Sequence, residues 1–362
     1  MQKELTRLLQ NQKGTYGVFV KDLNTGHTFG VNHLETFHAA STIKLPVNLY
    51  LYEQMAKGKV NPSIELVYRQ EHYEDGGSKL QNDPVGSSYS IKQLSRYSIR
   101  YSDNIATNML LSYLGYSNVK GYMASLGGKV IDYWDNTTCP RDMALYMSRL
   151  VKFTSQHPEL GGQLMNDLEN TIFNDRIPKL LPPRTKIAHK IGNWPPTGTF
   201  NDVALVKHIE SPYIIAVFSK NTPGTDEAFQ VIQKVSKIVY DHQDKLIEID
   251  LTLNGRPLKT DVSPILSNGT VLVPVRIISE SIDAKVRWDS EANRVMINKT
   301  GNSIWLQPGT TTATINGEDI SLNTPPRIYN KRTMVPLRLV SKAMGARIKW
   351  DNDTKTVYIT YS

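Results

Sequence analysis

Residues 37–52 read FHAASTIKLPVNLYLY, which places a serine and a lysine at the start of an almost wholly apolar segment. Ser41 and Lys44 are three positions apart, so on a helix they share a face. Serine is a weak nucleophile that needs a base within hydrogen-bond reach. A lysine in the first turn of a buried helix is more easily neutral, and a neutral lysine can accept a proton. The stretch therefore predicts a buried helix that begins close to Ser41, with Lys44 as the base.

A single Ser-x-x-Lys spacing is weak evidence, because roughly one or two arise by chance in a chain of this length. A second one, from Ser117 to Lys120, is interpreted as an exposed turn with a helix cap and no catalytic role. Two further motifs support the first. Ser-Asp-Asn at 102–104 opens a helical run, and His-Lys-Ile-Gly at 189–192 stands at a strand end. In this order and on these elements, the three motifs together indicate an acyl-serine site.

The pattern around these motifs predicts one antiparallel sheet covered by helices, an α+β arrangement. Predicted strands stand at both ends of residues 1–243, and the middle is largely helical. The predicted strands are 16–22, 27–31, a stretch near His189, 202–207 and 213–219, and the terminal helices are 4–12 and 226–240. The polar stretch 241–245 is interpreted as the boundary with a second domain.

Composition narrows the class of protein. The 362 residues are too many for one compact core and suit two domains. The net charge of +8 is spread evenly, which argues against a nucleic-acid surface and fits either ordinary solubility or attraction to an anionic surface. No apolar stretch is long enough to span a membrane. The single cysteine, Cys139, cannot form an intrachain disulfide. No signal peptide is visible, so we expect either a cytosolic protein or a secreted one whose leader has been removed.

The last third of the chain contains an internal repeat with three markers. Val-Pro-Val-Arg at 273–276 recurs as Val-Pro-Leu-Arg at 335–338, Trp-Asp at 288–289 recurs at 350–351, and Asn-Gly at 254–255 recurs at 316–317. Every offset is 62 (335 − 273, 350 − 288 and 316 − 254), which indicates two copies of one supersecondary unit. Each copy predicts the order βαββ, giving a small α+β domain over 247–362 with copies at about 247–300 and 309–362.

Three stretches, Phe37–Lys44, Tyr101–Asn108 and the one around Lys190, resemble class A β-lactamases and penicillin-binding proteins. The resemblance extends over nearly all of residues 1–243. It implies a β-lactamase-like antiparallel sheet covered by helices. It also implies that Ser41 attacks an acyl carbonyl, that its proton passes to the neighbouring lysine, and that Ser102 relays a proton to the leaving nitrogen.

The same resemblance implies how a substrate is bound. Asn104 hydrogen-bonds the amide of the substrate side chain, and Lys190 offers positive charge to the substrate carboxylate. Gly192 and Asn193 belong to the same substrate-binding strand. The backbone N–H groups of Asn193 and Ser41 form the oxyanion hole, where one donor is typically worth ~3 kcal/mol.

Two departures from the family pattern affect the expected chemistry. Ile191 stands where the family usually has a hydroxyl residue, which removes a hydrogen bond worth ~1–2 kcal/mol to the substrate carboxylate. Class A enzymes hydrolyse the acyl-enzyme with a glutamate on a loop before the Thr-Thr-x-Pro stretch, and the short loop 126–135 of this chain has none. Asp132 and Asp135 are the nearest carboxylates, and turn or cap roles are favoured for both. We therefore expect fast acylation and slow deacylation.

The repeat at 250–362 resembles the N-terminal domain of copper amine oxidases, on its VPxR and Trp-Asp pattern. The copper does not carry over, because all eight histidines and the cysteine precede the repeat, and copper requires imidazole or sulfur ligands. The module is interpreted as a spacer or wall-associated domain. Its tryptophans and arginines are interpreted as core and salt-bridge positions rather than as a ligand site.

The leading hypothesis is a β-lactamase-family serine hydrolase, extracellular or cell-wall associated, that acts on a peptide, amide or ester of the cell envelope and is acylated by β-lactams. One alternative is a functional class A β-lactamase, which needs a replacement deacylation base. The other is a non-catalytic penicillin-binding sensor or wall-binding protein. Side chains and backbone suffice for the chemistry, so no metal or organic cofactor is implied. No nucleic-acid partner and no transmembrane segment are expected, and the C-terminal domain is the expected point of cell-wall association.

Overall fold

A computed structural model describes residues 1–76, 78–208, 211–245, 249–267, 270–299, 301–351 and 354–361. The chain divides into two units, Met1–His242 and Gln243–Ser362. The helix Thr225–Lys245 crosses this division, so the polar stretch proposed as a boundary is helical. No helix in the described part of the chain is long and apolar enough to cross a membrane.

Nine strands lie among the described residues of the first unit. They are β1 Thr15–Asp22, β2 Thr28–Val31, β3 Phe37–His38, β4 Glu65–Val67, β5 Ser88–Ser90, β6 Thr137–Thr138, β7 Lys186–Trp194, β8 Thr199–Lys207 and β9 Tyr213–Lys220. Five of them form an antiparallel sheet in the order β2-β1-β9-β8-β7. The short strands pair as β3 with β6 and β4 with β5. Strand β7 is thus an edge strand, with one side open to the site described below.

Helices cover both faces of this sheet. They are α1 Gln2–Gln10, α2 Lys44–Ala56, α3 Ile91–Arg100, α4 Asn104–Leu114, α5 Tyr116–Ser125, α6 Pro140–Gln156, α7 Pro158–Glu169 and α8 Thr225–Lys245. Alternate residues of β9 enter different cores, because successive side chains of a strand point to opposite faces. Ile214 and Ala216 pack with helices α2 to α7, whereas Ile215 and Val217 pack with α1 and α8. The expected helix-covered antiparallel sheet is confirmed.

The second unit contains the strands β10 Asp250–Leu253, β11 Arg256–Pro257, β12 Ile265–Ser267, β13 Thr270–Pro274, β14 Lys285–Asp289, β15 Arg294–Lys299, β16 Asn302–Leu306, β17 Thr312–Ile315, β18 Glu318–Ser321, β19 Arg327–Tyr329, β20 Arg332–Pro336, β21 Arg347–Asp351 and β22 Thr356–Thr360. Its helices are α9 Val275–Ser281 and α10 Leu337–Ala343. The strands form three sheets, in the orders β11-β10-β22-β21, β12-β13-β20-β19 and β14-β15-β16-β17-β18.

Both copies of the repeat contain the expected βαββ order, β13-α9-β14-β15 and β20-α10-β21-β22. Each copy also has three further strands that the sequence pattern does not reveal, β10 to β12 in one and β17 to β19 in the other. The two copies meet through β13 and β20, where Val273 pairs with its repeat equivalent Val335. The domain is therefore built from two related halves that share one core.

Candidate active site

Ser41 lies on a 3-10 turn, Ala40–Ile43, between strand β3 and helix α2. Helix α2 begins at Lys44 and is buried along nearly its whole length, so its first turn lies in the protein interior. The sequence places the helix start close to Ser41, and the α-helix begins three residues later. Ala40 has a φ of 48°, a left-handed conformation that costs an ordinary residue roughly 1–2 kcal/mol. Strain is thus stored directly beside Ser41, as is common at functional sites.

Lys44 connects the predicted nucleophile to the second motif. Its Nζ donates hydrogen bonds to Ser41 Oγ at 3.0 Å, to the carbonyl oxygen of Ser102 at 2.6 Å and to Asn104 Oδ1 at 2.6 Å. The side chain is 3% exposed. All three of these acceptors are neutral oxygen atoms, and none is a carboxylate. Lys44 is therefore within proton-transfer distance of Ser41 and is held by neutral oxygen atoms.

Burial lowers the pKa of Lys44 from 10.5 to about 8. Desolvation disfavours the charged ammonium, and the negative charges of Glu74 and Asp103 partly oppose this effect. With a pKa near 8, about one molecule in ten has a neutral Lys44 at pH 7. The geometry thus supplies a base of suitable strength next to a serine hydroxyl.

Ser102 lies between two buried lysines. Its Oγ accepts a hydrogen bond from Lys190 Nζ at 2.9 Å and is 3.4 Å from Lys44 Nζ. Lys190 also donates to the carbonyl oxygen of Ile191 at 3.0 Å. Burial, followed by the positive charges of Lys44 and Arg176, holds the pKa of Lys190 well below 10.5, while Asp202 opposes the shift. An anionic substrate group would restore the charged form of Lys190, because opposite charges favour each other's ionised states.

Strand β7 lies directly against the turn that bears Ser41. A Cβ on Gly192 would lie 2.8 Å from the carbonyl oxygen of Ala39 and 3.1 Å from the backbone nitrogen of Ser41, so only glycine permits this approach. Asn193, the next residue along β7, is exposed. The structure thus brings Gly192 to the backbone of the turn, which is the neighbourhood that the predicted oxyanion hole requires.

Two residues near the site are not indicated by any motif. Glu74 accepts hydrogen bonds from Asn104 Nδ2 at 2.8 Å and from Asn108 Nδ2 at 2.9 Å. Glu74 thereby orients the side-chain amide of Asn104 so that Oδ1 of Asn104 faces Lys44. Arg176 is 1% exposed and donates from Nη1 to the carbonyl oxygen of Asn201 at 2.8 Å and to that of Gly192 at 3.4 Å. It therefore holds strands β7 and β8 through their backbone carbonyl groups.

In the short loop 126–135, before β6, no described carboxylate forms a hydrogen bond with Ser41. Asp132 Oδ1 accepts the backbone N–H groups of Trp134 at 2.8 Å and Asp135 at 3.2 Å, which is the geometry of a turn. These two hydrogen bonds lower the pKa of Asp132. Trp134 is 94% exposed. The loop therefore has the turn role that the sequence favours for Asp132.

The other Ser-x-x-Lys spacing is part of the scaffold. Ser117 and Lys120 lie within helix α5, so the interpretation as an exposed turn is wrong. Lys120 is buried, and its Nζ donates to the carbonyl oxygen of Asp135 at 3.0 Å. It is a local anchor for the short loop. Among the described residues no group of three or more His, Cys, Asp or Glu side chains is arranged to hold a metal ion.

Comparison with known families agrees with this geometry. Residues 1–243 match the model of the beta-lactamase enzyme family. This chain belongs to that family. Beta-lactamase ROB-1 of Haemophilus influenzae is 29% identical over 247 residues, which cover 63% of this chain and 78% of the relative. Beta-lactamase SME-1 of Serratia marcescens is 23% identical over 255 residues, which cover 65% of this chain and 86% of the relative.

Among solved structures, this beta-lactamase-family chain is similar to PBP-A. PBP-A has a TM-score of 0.63 and 26% identity, with coverage of 67% of this chain and 96% of PBP-A. A variant of PBP-A in an acyl-enzyme complex with penicillin G gives the same values. Residues 252–359 match the copper amine oxidase N-terminal domain. Both resemblances stated from the sequence are therefore confirmed, and the chain is a beta-lactamase-family serine hydrolase by descent.

Proposed function

We propose that this protein is a serine hydrolase whose Ser41 is acylated by β-lactams and by a peptide, amide or ester of the cell envelope. The observation that carries the proposal is the 3.0 Å contact between Lys44 Nζ and Ser41 Oγ. In this mechanism Ser41 Oγ attacks the acyl carbonyl, and its proton moves to the neutral amine of Lys44. Backbone N–H groups of Ser41 and Asn193 hold the oxygen that becomes negatively charged.

The second half of acylation expels the leaving nitrogen. Ser102 Oγ lies 3.4 Å from Lys44 Nζ and can pass the proton received from Ser41 on to this nitrogen. As the bond between carbon and nitrogen breaks, the new ester bond to Ser41 remains and the nitrogen takes up the proton. The amine of a peptide or amide then leaves, whereas the nitrogen of a β-lactam stays attached to the ring-opened adduct. Lys190 and Asn104 hold the substrate, through its carboxylate and its side-chain amide respectively.

The proposal includes slow hydrolysis of the acyl-enzyme. Deacylation requires a base that activates water near the ester carbonyl. Within the described residues Asp132 is occupied by turn hydrogen bonds, and Glu74 is held by two asparagine amides. This arrangement favours an acyl-enzyme that is hydrolysed slowly. Acylation by a β-lactam is supported by a solved structure of a leucine-to-glutamate variant of PBP-A, which is an acyl-enzyme complex with penicillin G.

A functional class A β-lactamase is the second candidate, and it is favoured by the relatives named ROB-1 and SME-1. A non-catalytic penicillin-binding sensor is the third, but it has no need of a base beside Ser41. An extracellular or wall-associated location belongs to the same proposal and is supported by the resemblance of the C-terminal domain. Detection of the protein in the cell-wall or medium fraction, and not in the cytosol, tests the location.

Steady-state and burst kinetics with nitrocefin separate the three candidates. The leading proposal expects a burst of about one equivalent of ring-opened nitrocefin bound to the enzyme, followed by slow release of hydrolysed nitrocefin, because acylation is faster than deacylation. Rapid turnover without a burst would establish the β-lactamase instead. No reaction of nitrocefin, together with unaltered binding by Ser41→Ala, would favour the sensor.

A further inference from the structure

Two of the clefts in the second unit lie at equivalent places, one beside the Pro-x-Arg helix of each copy of the repeat. The first-copy cleft has a volume of 280 Å³ and is lined by residues 274–277 with Val286, Trp288 and Val295. The second-copy cleft has a volume of 350 Å³ and is lined by residues 336–339 with Ile348, Trp350 and Val357.

These two clefts are equivalents within the duplicated fold. Adding the repeat offset of 62 to 274–277 gives 336–339, and adding it to 286, 288 and 295 gives 348, 350 and 357. In both copies the Pro-x-Arg segment opens a short helix and forms one wall, while the strand that bears the tryptophan forms the other. The domain therefore presents the same cleft twice.

Some residues in and next to the clefts are identical in the two copies, and their burial indicates why. Val273 and Val335 are identical and fully buried, so core packing explains them. Arg276 and Arg338 are also identical, yet both are exposed. Arg276 lies 3.9 Å from Glu280, but the residue equivalent to Glu280 is a lysine. Neither packing nor this ion pair therefore accounts for an arginine in both copies.

The tryptophans support the same conclusion. Trp288 is 45% exposed and does not belong to the core of the second unit, so its interpretation as a core residue is wrong. Its equivalent, Trp350, is partly buried against that core and lines the second-copy cleft. An indole retained in both copies at a cleft wall provides a flat apolar surface with one hydrogen-bond donor.

Both clefts carry an excess of positive charge. The first-copy cleft is lined by Arg276 and Lys331, and also by Arg332 and Asp261, which form an ion pair with each other at 2.6 Å. The second-copy cleft is lined by Arg338 and by no acidic residue among those described. Guanidinium groups bind carboxylates with two parallel hydrogen bonds, and the opposite wall offers an indole face. The chemistry fits a ligand with an apolar ring face and a carboxylate.

We propose that the two clefts bind successive units of a glycan strand that carries carboxylates. The tryptophan of each cleft stacks on the apolar face of one sugar ring, and the arginine binds its carboxylate. Two equivalent sites in one small domain suit a ligand that is itself repetitive, because the second contact is intramolecular once the first has formed. This proposal is independent of the chemistry at Ser41.

The test is a titration of the full-length protein with hexagalacturonate and with neutral maltohexaose, followed by tryptophan fluorescence or calorimetry. Hexagalacturonate is expected to bind and maltohexaose is not, and the double variant R276A/R338A is expected to weaken binding by about tenfold or more. The matched control is R287A/K349A, because these two exposed cations are also repeat equivalents and alternate with the cleft-lining residues of β14 and β21. The control is expected to change affinity less than about twofold.

Three results would overturn the proposal. They are absence of hexagalacturonate binding, equal binding of maltohexaose, and equal losses in R276A/R338A and R287A/K349A, which would indicate charge attraction without a site. Because Arg276 and Arg338 are exposed, the double variant is expected to keep its melting temperature. If it does not fold, Trp288→Ala provides the same test at an exposed position.

Discussion

Acylation of Ser41 is expected to depend on pH through Lys44. Burial lowers the pKa of Lys44 from 10.5 to about 8, a change of 2.5 units. At pH 7 this raises the fraction of neutral lysine by about 300-fold, since each unit is a factor of ten. Below pH 8 the amine is mostly protonated and cannot act as a base. The second-order rate constant for acylation should therefore rise about tenfold per pH unit up to about pH 8 and level off above it.

The variant Glu74→Gln tests this origin of the pH dependence. The charge of Glu74 raises the pKa of Lys44, so its removal should lower the midpoint of the profile. An exposed carboxylate stabilises a nearby ammonium by about 0.5 kcal/mol or somewhat more, which corresponds to about half a pKa unit. Removing this charge should therefore make acylation roughly threefold faster at pH 7. Lost orientation of Asn104 alone would slow acylation at every pH and leave the midpoint in place.

The assay is stopped-flow acylation by nitrocefin between about pH 5.5 and 9.5. Glu71→Gln is the matched control, because Glu71 is an exposed glutamate of the same segment that forms an ion pair with Arg69 at 3.7 Å. Its midpoint should equal that of the unaltered protein. A rate that does not depend on pH would refute the assignment of Lys44 as the base. A midpoint that Glu74→Gln leaves unchanged or raises would refute the charge coupling between Glu74 and Lys44.

Three further predictions concern other parts of the first unit. Gly192→Ala should lower the acylation rate about tenfold or more, because the added Cβ meets the turn that bears Ser41, whereas Gly162→Ala, with no atom within 4 Å of its Cβ, should retain full activity. Asp132→Asn should change the lifetime of the penicillin adduct less than about twofold, since asparagine can still accept the turn hydrogen bonds; a much longer lifetime by mass spectrometry would identify Asp132 as a deacylation base. Glu53→Gln should reduce the free energy of unfolding by about 2–3 kcal/mol in urea denaturation, because it removes the buried negative charge that pairs with Arg149 at 2.6 Å and accepts a hydrogen bond from Tyr122 at 2.7 Å. A loss below about 0.5 kcal/mol would show that this pair contributes little.

The residues that meet around the nucleophile could be predicted because each belongs to a local motif. Ser41 and Lys44 are one helical turn apart, and their contact follows from spacing alone. Asn104 lies 60 residues from Lys44, and the family resemblance of its motif predicts a place in the site for it as a substrate-binding residue, whereas its contact with Lys44 Nζ is not predicted. Gly192 is likewise fixed by its place in a strand next to Lys190. In each case the signal combines residue type with position on a secondary-structure element.

The remaining contacts could not be predicted because no local pattern records them. Glu74 reaches Asn104 across 30 residues from an irregular segment, where an isolated glutamate is typical of a solvated surface. Arg176 is buried although its segment has no apolar periodicity. The short strands β11 and β12 contain only two and three residues, too few for a period of two to stand out. The contact of Glu74, the burial of Arg176 and the pairing of these short strands all depend on tertiary structure.

The central claim is that Ser41 forms a covalent acyl-enzyme that is hydrolysed slowly. Intact-mass spectrometry over time, after brief exposure of the protein to penicillin G, tests it most directly. The account predicts an increase equal to one penicillin molecule that persists after excess drug is removed, and no increase in Ser41→Ala. An adduct that forms equally on Ser41→Ala, or no adduct at all, would contradict the assignment of the nucleophile. An adduct that disappears within seconds with release of hydrolysed penicillin would contradict slow deacylation.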